Sequence, residues 1–408
     1  MLSYEAARAK VIEIVRARAG APAAETLEYA RDPARALGRF LAENIVADRN
    51  YPPFDRSTRD GFALRSSDAP HEGAKLRLIG ESRAGVPFAG AVEAGACVRI
   101  MTGAAVPRGA DTVAMQEHAH IEGDTVIFDQ PARAHQNYVL AGSETRAGEV
   151  VVPRGARLGY AELAMAAQVG RSSVAVSRRP RVAVLSTGDE VVPVDQPPGP
   201  FQIRNSNSIS IASQVALAGA EAVMLGNAPD ELTKLRELIE RALESDVVVL
   251  TGGVSVGKYD LVEQVLRELG AEFFFDAVAI RPGRPAVFGW CRGKPTFGLP
   301  GNPVSTMVTF EILAVPAIEI LSGFKPQPLP FFKARLTHPI DQRAPLTHFL
   351  PARVTWPSGE PTVSALHWEG SGDIGALVKG NCFLVVRESK LKIEAGDWVD
   401  VLPRRGLF

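Results

Sequence analysis

The chain has 408 residues, with 45 Lys and Arg against 46 Asp and Glu, a formal net charge of −1, seven His and three Cys. At about 150 residues per domain the length implies two to four domains, and 46% hydrophobic against 22% charged residues is enough to bury sizeable cores and excludes a disordered chain. The near-zero charge gives no global basic field for nucleic acid or an anionic membrane, so any anion site must be local.

Cys97, Cys291 and Cys382 are widely spaced and contain no CxxC, which supports neither a disulfide framework nor a Cys-rich zinc site. The opening MLSYEAARAKVIEIV lacks a signal-peptide core, and no apolar run approaches the roughly 20 residues of a membrane span. The expectation is a soluble, cytoplasmic protein with no membrane partner. The 37 Gly and 30 Pro argue for many turns and against a helical bundle.

Along the chain, Asp32-Pro33 forms an N-cap and N1 pair, and Leu37, Phe40 and Leu41 follow at helical spacing, which predicts a helix there. From Tyr51-Pro52-Pro53 onward, short alternating runs at 75–79, 97–100 and 125–128 predict a small β domain over 51–139. Helical pattern returns at 160–169, so the β domain reads as an insertion into a helical and mixed domain of residues 1–50 plus 140–178.

Residues 179–325 alternate strand and helix: strands at 181–185, 222–225 and 246–250, and helices at 208–217, 230–243, 261–269 and 304–321. This pattern predicts an α/β domain, doubly wound around a mostly parallel sheet. The run Val247-Val248-Val249-Leu250 fits a strand buried on both faces. Pro326, Pro328 and Pro330 mark a linker, and residues 326–408 alternate in the manner of a small β sandwich or barrel.

In an open α/β sheet, ligands bind outside the carboxyl ends of the strands. Ser186-Thr187-Gly188-Asp189-Glu190, the stretch from Gly226 to Asp230, and Thr251-Gly252-Gly253-Val254-Ser255-Val256-Gly257 all fall there, and Asp260 opens the next helix. A Gly-rich turn can point backbone N–H groups at an anion. Asp230 and Asp260 also fit plain N-caps, and a GGxS turn is common. Coincidence favours a site: Glu190, Asp230 and Asp260 share one rim with the Gly-rich loop.

The cluster Ile280-Arg281-Pro282-Gly283-Arg284-Pro285 sets two guanidiniums three residues apart on a Pro/Gly turn, in a stretch from 277 to 310 free of Asp and Glu. Arg donates in a fork suited to tetrahedral oxyanions. Gly298-Leu299-Pro300-Gly301-Asn302-Pro303, just before a helix, is a second oxyanion candidate. Carboxylates facing bound phosphate require a cation between them, and Mg²⁺ held by one or two carboxylates is the economical choice. His118-Ala119-His120 reads as exposed strand residues without a third ligand, and Cys382 as core. The residues thus reach a phosphate-bearing ligand, a divalent metal and a separate oxyanion pocket, but no substrate.

These segments, with Asp60-Gly61-Phe62-Ala63, Arg99-Ile100-Met101-Thr102-Gly103-Ala104 and Gly380-Asn381-Cys382, resemble the MoeA-type molybdopterin molybdenumtransferases, relatives of the gephyrin C-terminal domain, over essentially the full length. The resemblance implies a MogA-like molybdopterin-binding α/β domain, a C-terminal β barrel and an elongated homodimer. It implies insertion of molybdate into adenylylated molybdopterin, with Mg²⁺-dependent release of AMP. It also implies exchange with the adenylyltransferase and with recipient molybdoenzymes.

By the same resemblance, nucleotide and phosphate meet Gly252, Gly253 and Ser255, and Gly301, Asn302 and Pro303 shape the pocket. Glu190, Asp230 and Asp260 hold the metal. Arg281, Arg284, Pro285 and Ser371 gather molybdate, and Asp60 and Thr102 complete the site from the other subunit. Arg281 and Arg284 stand where the family often has Lys; Ala277, Leu346 and Glu144 depart from family Lys, Arg and Asp. The alternatives are a non-catalytic molybdopterin-binding or scaffold protein on the same fold, and a molybdopterin adenylyltransferase, against which the N-terminal and fourth regions argue.

Overall fold

The structure, a computed structural model, describes residues 1–253, 261–341, 346–357, 359–389 and 392–407. Two stretches of the N-terminal part run antiparallel to each other as a long ribbon. Ala24–Glu28 pairs with Ser173–Ser177, Ile45–Val46 with Val150–Val152, and Arg56–Ser57 with Tyr138–Val139. Between the two limbs lies a six-stranded sheet in the order Thr112–Met115, Gly61–Leu64, Ala96–Ile100, Ala74–Ser82, Thr125–Phe128, Ala119–Glu122. The three runs read as strands in the sequence fall within it. Gly61, on the strand next to the edge, has room for no side chain, because a Cβ there would lie 1.9 Å from the Ala114 carbonyl oxygen.

Helix α1 (Tyr4–Arg18) begins at Ser3, whose hydroxyl accepts from the Ala6 N–H at 3.2 Å. Its buried face, including Ala7, Val11 and Val15, joins the core of the α/β region rather than that of the ribbon. The ribbon carries α2 (Tyr160–Gln168), as the helical spacing there predicts. The helix expected after Asp32-Pro33 is not formed. Only a 3₁₀ turn, Pro33–Arg35, follows, and the Asp32 side chain caps nothing. Gly38 takes φ +77°, and Phe40 and Leu41 bridge to Arg157 and Val176, so Leu41 fills the ribbon core in extended conformation while Phe40 stacks on Phe324.

The central sheet contains β1 (Arg181–Thr187), β2 (Glu221–Ala228), β3 (Val247–Thr251), β4 (Glu272–Ala277), β5 (Pro285–Cys291) and β6 (Lys294–Leu299), in the order β2-β1-β3-β6-β5-β4. β2, β1, β3 and β6 are mutually parallel, and β5 is antiparallel to both neighbours. Alternate residues face opposite layers. Val182, Val184, Val247 and Val249 pack with Ile211 and Val215 of α3 (Ser206–Leu217). Ala183, Leu185, Val248 and Leu250 pack with Leu235 and Ile239 of α4 (Leu232–Ala242) and Val265 of α5 (Leu261–Glu268). A strand buried on both sides has no polar face to show, which is why it reads as a continuous apolar run.

After β6 the chain enters α6 (Pro303–Thr309), a π turn (Phe310–Ala314) and α7 (Val315–Leu321). Pro316 lacks an N–H and cannot donate to the preceding turn, which accounts for the π register beside it. The expectation that no apolar run approaches span length needs correction. Pro303–Leu321 is 19 residues with mean hydropathy 1.7, but it is 78% buried, as the core helix of this domain. The C-terminal strands Phe332–Leu336, Thr347–Thr355, Thr362–Ala365, Cys382–Val386 and Trp398–Pro403 close on themselves, since Thr347–Thr355 pairs with both Thr362–Ala365 and Cys382–Val386. The fourth region is therefore a barrel rather than a sandwich. Cys382 is fully buried in its core, and burial pushes its thiol up to about 12.

Candidate active site

The carboxyl ends of β1, β3 and β6 and the start of α3 converge on a cleft of about 270 Å³. Ser186, Thr187 and Glu190 come from the first loop, Thr251 and Gly252 from the second, Gly301, Asn302 and Pro303 from the third, and Arg204, Asn205 and Asn207 from the entry to α3. The loops touch because two of their residues lack side chains. Gly252 has φ +87°, and a Cβ on it would sit 2.5 Å from the Thr187 carbonyl oxygen. Gly253 has φ +61°, and a Cβ there would meet Thr187 Oγ1 at 2.7 Å.

Polar bonds lock the loops together. Asn207 Nδ2 donates to Thr251 Oγ1 at 3.0 Å and to the Gly301 carbonyl at 2.8 Å. Thr251 Oγ1 donates onward to the Pro300 carbonyl at 3.1 Å, which also accepts from Thr306 Oγ1. Asn205 caps α3 by accepting from the Ser208 N–H at 3.0 Å, and its amide donates to Ser186 Oγ at 2.6 Å. Two buried polar atoms of the cleft, Thr187 Oγ1 and Asn207 Oδ1, have no partner among the described residues. A buried polar group without a partner costs about 1–3 kcal/mol, so such atoms mark where a ligand's own donors and acceptors belong.

The acidic rim forms in part as expected. Glu190 lines the cleft, and Asp189 Oδ1 accepts from the Asp230 N–H at 3.1 Å. Partial desolvation, then the charges of Asp189 and Glu190, push the Asp230 carboxyl above its usual range. Among the described residues no three His, Cys, Asp or Glu side chains gather closely enough to form a ready metal cage. Asp260 and Ser255 lie outside the described residues.

Arg281 and Arg284 are both exposed and do not line this cleft. Their turn is pressed against α6: Gly283 has φ +107°, and a Cβ there would approach Thr309 Cγ2 to 2.6 Å. Arg281 pairs in strand register with His348 of the barrel, whose imidazole is held below its usual range by burial and then by the Arg281 charge. Pro285 is half-buried at the start of β5. The Ser371 carbonyl accepts from the Val304 N–H at 2.9 Å, which seats the Ser371 loop against the start of α6, beside Asn302 and Pro303. One short helix thus carries the cleft at its first residue and the arginine turn along its side.

Asp60 and Thr102 meet on the inserted sheet. Asp60 Oδ1 accepts from the Thr102 N–H at 2.6 Å and from Thr102 Oγ1 at 2.7 Å. These bonds, backbone first, hold the Asp60 carboxyl below its usual range. Within one subunit neither residue lines the cleft. His118 and His120 are not a metal pair: His118 ends a 3₁₀ turn, and the exposed His120 places Nδ1 3.2 Å from Asp129 Oδ1. Sequence reasoning placed Thr187 in the first loop without giving it a role, and missed Arg204, Asn205 and Asn207 as site residues. The Asn205-Ser206-Asn207-Ser208 run was an available signal, since it is a cap that starts α3 two residues before the predicted 208.

The MoeA N-terminal region (domain I and II) matches residues 2–170, the pattern described as a probable molybdopterin binding domain matches 183–320, and the MoeA C-terminal region (domain IV) matches 333–403. A molybdopterin molybdenumtransferase of Haemophilus influenzae is 34% identical over 407 residues, spanning 99% of this chain and 98% of that one. This chain belongs to the MoeA family. Another molybdopterin molybdenumtransferase, from Staphylococcus epidermidis, is 34% identical over 372 residues, with 90% of this chain and 88% of that one covered. Among solved structures, a molybdopterin biosynthesis MoeA protein from Pyrococcus horikoshii superposes with a TM-score of 0.82 at 26% identity, covering 99% of this chain and all (100%) of the other. The MoeA fold therefore extends over all four regions, and the cleft lies in the central one.

Proposed function

We propose that this MoeA-family protein is a transferase of molybdenum cofactor biosynthesis, which inserts molybdate into adenylylated molybdopterin and releases AMP. The observation that carries the proposal is the coincidence of the family's three central loops with one cleft that holds unpartnered buried polar atoms. The flanking MoeA N- and C-terminal regions speak against a stand-alone adenylyltransferase.

Mg²⁺ fits the residues present. Burial first, and then the charges of Asp189 and Glu190, push the Asp230 carboxyl above its usual range, and a divalent cation would relieve the repulsion among these acids. Glu190 and Asp230, with Asp260 from outside the described residues, would hold it. Bound there, the ion supplies charge neutralisation on the phosphate oxygens.

The chain's own residues do the remaining work. Gly252 and Gly253 let the backbone approach the phosphates without a Cβ in the way. Thr187 Oγ1 can donate to a phosphate oxygen, and Asn207 Oδ1 can accept from a ligand N–H. Arg281 and Arg284 gather the tetrahedral oxyanion through fork-shaped donors, and Ser371 closes that side. Asp60 and Thr102 of a second subunit complete the site in a homodimer. Rate enhancement then comes from positioning and preset electrostatics. The cellular setting proposed is the cytoplasm, between the adenylyltransferase that supplies the substrate and the molybdoenzymes that receive the product.

The test is incubation of the purified protein with adenylylated molybdopterin, Mg²⁺ and molybdate or tungstate, following AMP by chromatography. The expected result is AMP release that requires both the divalent ion and the oxyanion. Absence of AMP under all of these conditions contradicts the proposal.

A further inference from the structure

The charged side chains among the described residues of the cleft are Glu190 and Arg204. Arg204 is held in place from both sides along the backbone. Val191–Val192 pairs in parallel with Ile203–Arg204, the Ile203 N–H donates to the Glu190 carbonyl at 2.8 Å, and the Asn205 N–H donates to the Val192 carbonyl at 2.9 Å. Its side chain is oriented by one bond, from Nε to the Gln196 carbonyl at 3.2 Å. Among the described residues no carboxylate stands within ion-pair distance of it, and its two terminal nitrogens donate to no neighbour. In the same cleft, Thr187 is only 4% exposed, and its Oγ1 is one of the buried atoms without a partner.

A guanidinium with free terminal nitrogens and a buried hydroxyl with a free proton are both donors. Together they select a ligand that is acceptor-only and anionic, with oxygens spaced for a fork. We propose that Arg204 and Thr187 are the phosphate-holding pair of the cleft. Arg204 donates from the rim through both terminal nitrogens to the phosphate group of a nucleotide, and Thr187 donates from the floor. Asn207 Oδ1, an acceptor, faces the ligand's N–H side. This inference rests on the transferase reading above and assigns the two anions of that reaction to separate cations. The nucleotide phosphate goes to Arg204, and the inorganic oxyanion goes to Arg281 and Arg284, whose turn is seated along the side of α6. It also gives Glu190 and Arg204 opposite tasks within one cleft, the acid toward the divalent ion and the base toward the phosphate.

The probe is AMP, titrated calorimetrically in Mg²⁺ against the full chain and its Arg204→Ala, Arg204→Lys and Thr187→Val variants. Loss of a charge-assisted fork should weaken AMP binding about 10-fold to 100-fold in Arg204→Ala and flatten its dependence on salt. Arg204→Lys keeps the charge without the fork and should fall between. Thr187→Val should weaken binding about threefold to tenfold, as one lost hydrogen bond does. Half-saturation by molybdate should stay unchanged in Arg204→Ala, a split that a general loss of structure would not produce. An AMP affinity within about twofold of wild type in Arg204→Ala, or no AMP binding by the wild type, overturns the pair. A wild type that binds AMP through Arg204 yet releases none from adenylylated molybdopterin leaves the phosphate site standing and removes the transferase reading.

Discussion

Gly252 shows how closely the chemistry depends on single residues. Its φ of +87° and the 2.5 Å approach of a built Cβ to the Thr187 carbonyl leave room for hydrogen only. Gly252→Ala should cost about 2–4 kcal/mol of stability, from left-handed strain plus a backbone contact that cannot yield. AMP release should fall with it as the loops part. Urea unfolding beside a turnover assay reads both quantities, and an unchanged unfolding midpoint would mean that the loop contact is not as tight as described. Gly252 and Glu190 were legible in the sequence because each lies in a short local motif whose residue types have few other uses. Asn207 was not. Its bonds join residues 44 and 94 positions away, and no local spacing encodes a contact of that range.

At the scale of elements, the strands were legible where physics leaves little choice. Val247–Thr251 is buried at every position, and such a run between helical segments has few other homes. The helix expected after Asp32-Pro33 failed because a residue type suited to capping cannot outweigh Gly38 in a left-handed turn and a partner strand waiting for Leu41. The arginine turn shows the same limit. Sequence gave its charge and rigidity, while its seat on α6 comes from Gly283 fitting against Thr309. Since Arg281 and Arg284 do not line the cleft, the proposed division of the two anions predicts that Arg284→Ala raises the half-saturating molybdate concentration about tenfold or more and leaves AMP affinity within about twofold. A molybdate titration that superposes on wild type would remove the turn from the site.

The whole molecule places Asp60 and Thr102 on an inserted sheet at the end of a two-limbed ribbon, outside the cleft of their own subunit. If a second subunit supplies them, two inactive variants should rescue each other. Mixing Asp60→Ala with Glu190→Ala under exchange conditions gives half of the dimers as heterodimers, each with one intact composite site. Activity should therefore recover to about a quarter of wild type. If both residues served the same subunit's site, every site in the mixture would carry a defect and no activity would return. Alternation in the last region left sandwich and barrel open, and only the pairing of Thr347–Thr355 with two strands closes it into a barrel. That Asp60 and Thr102 serve a second copy's cleft is an expectation from the family resemblance alone, because residue types do not record which copy of a chain they face.

The central role of the acidic rim comes down to Glu190, which lines the cleft and whose charge, after burial and the Asp189 charge, helps to push the Asp230 carboxyl above its usual range. The decisive measurement is single-turnover AMP release from adenylylated molybdopterin by Glu190→Ala beside wild type, at saturating Mg²⁺ and molybdate and with the folded state of each confirmed. The expected result is a rate lower by about a hundredfold or more. A rate within about twofold of wild type would contradict the cation-bridged phosphate site at this end of the sheet.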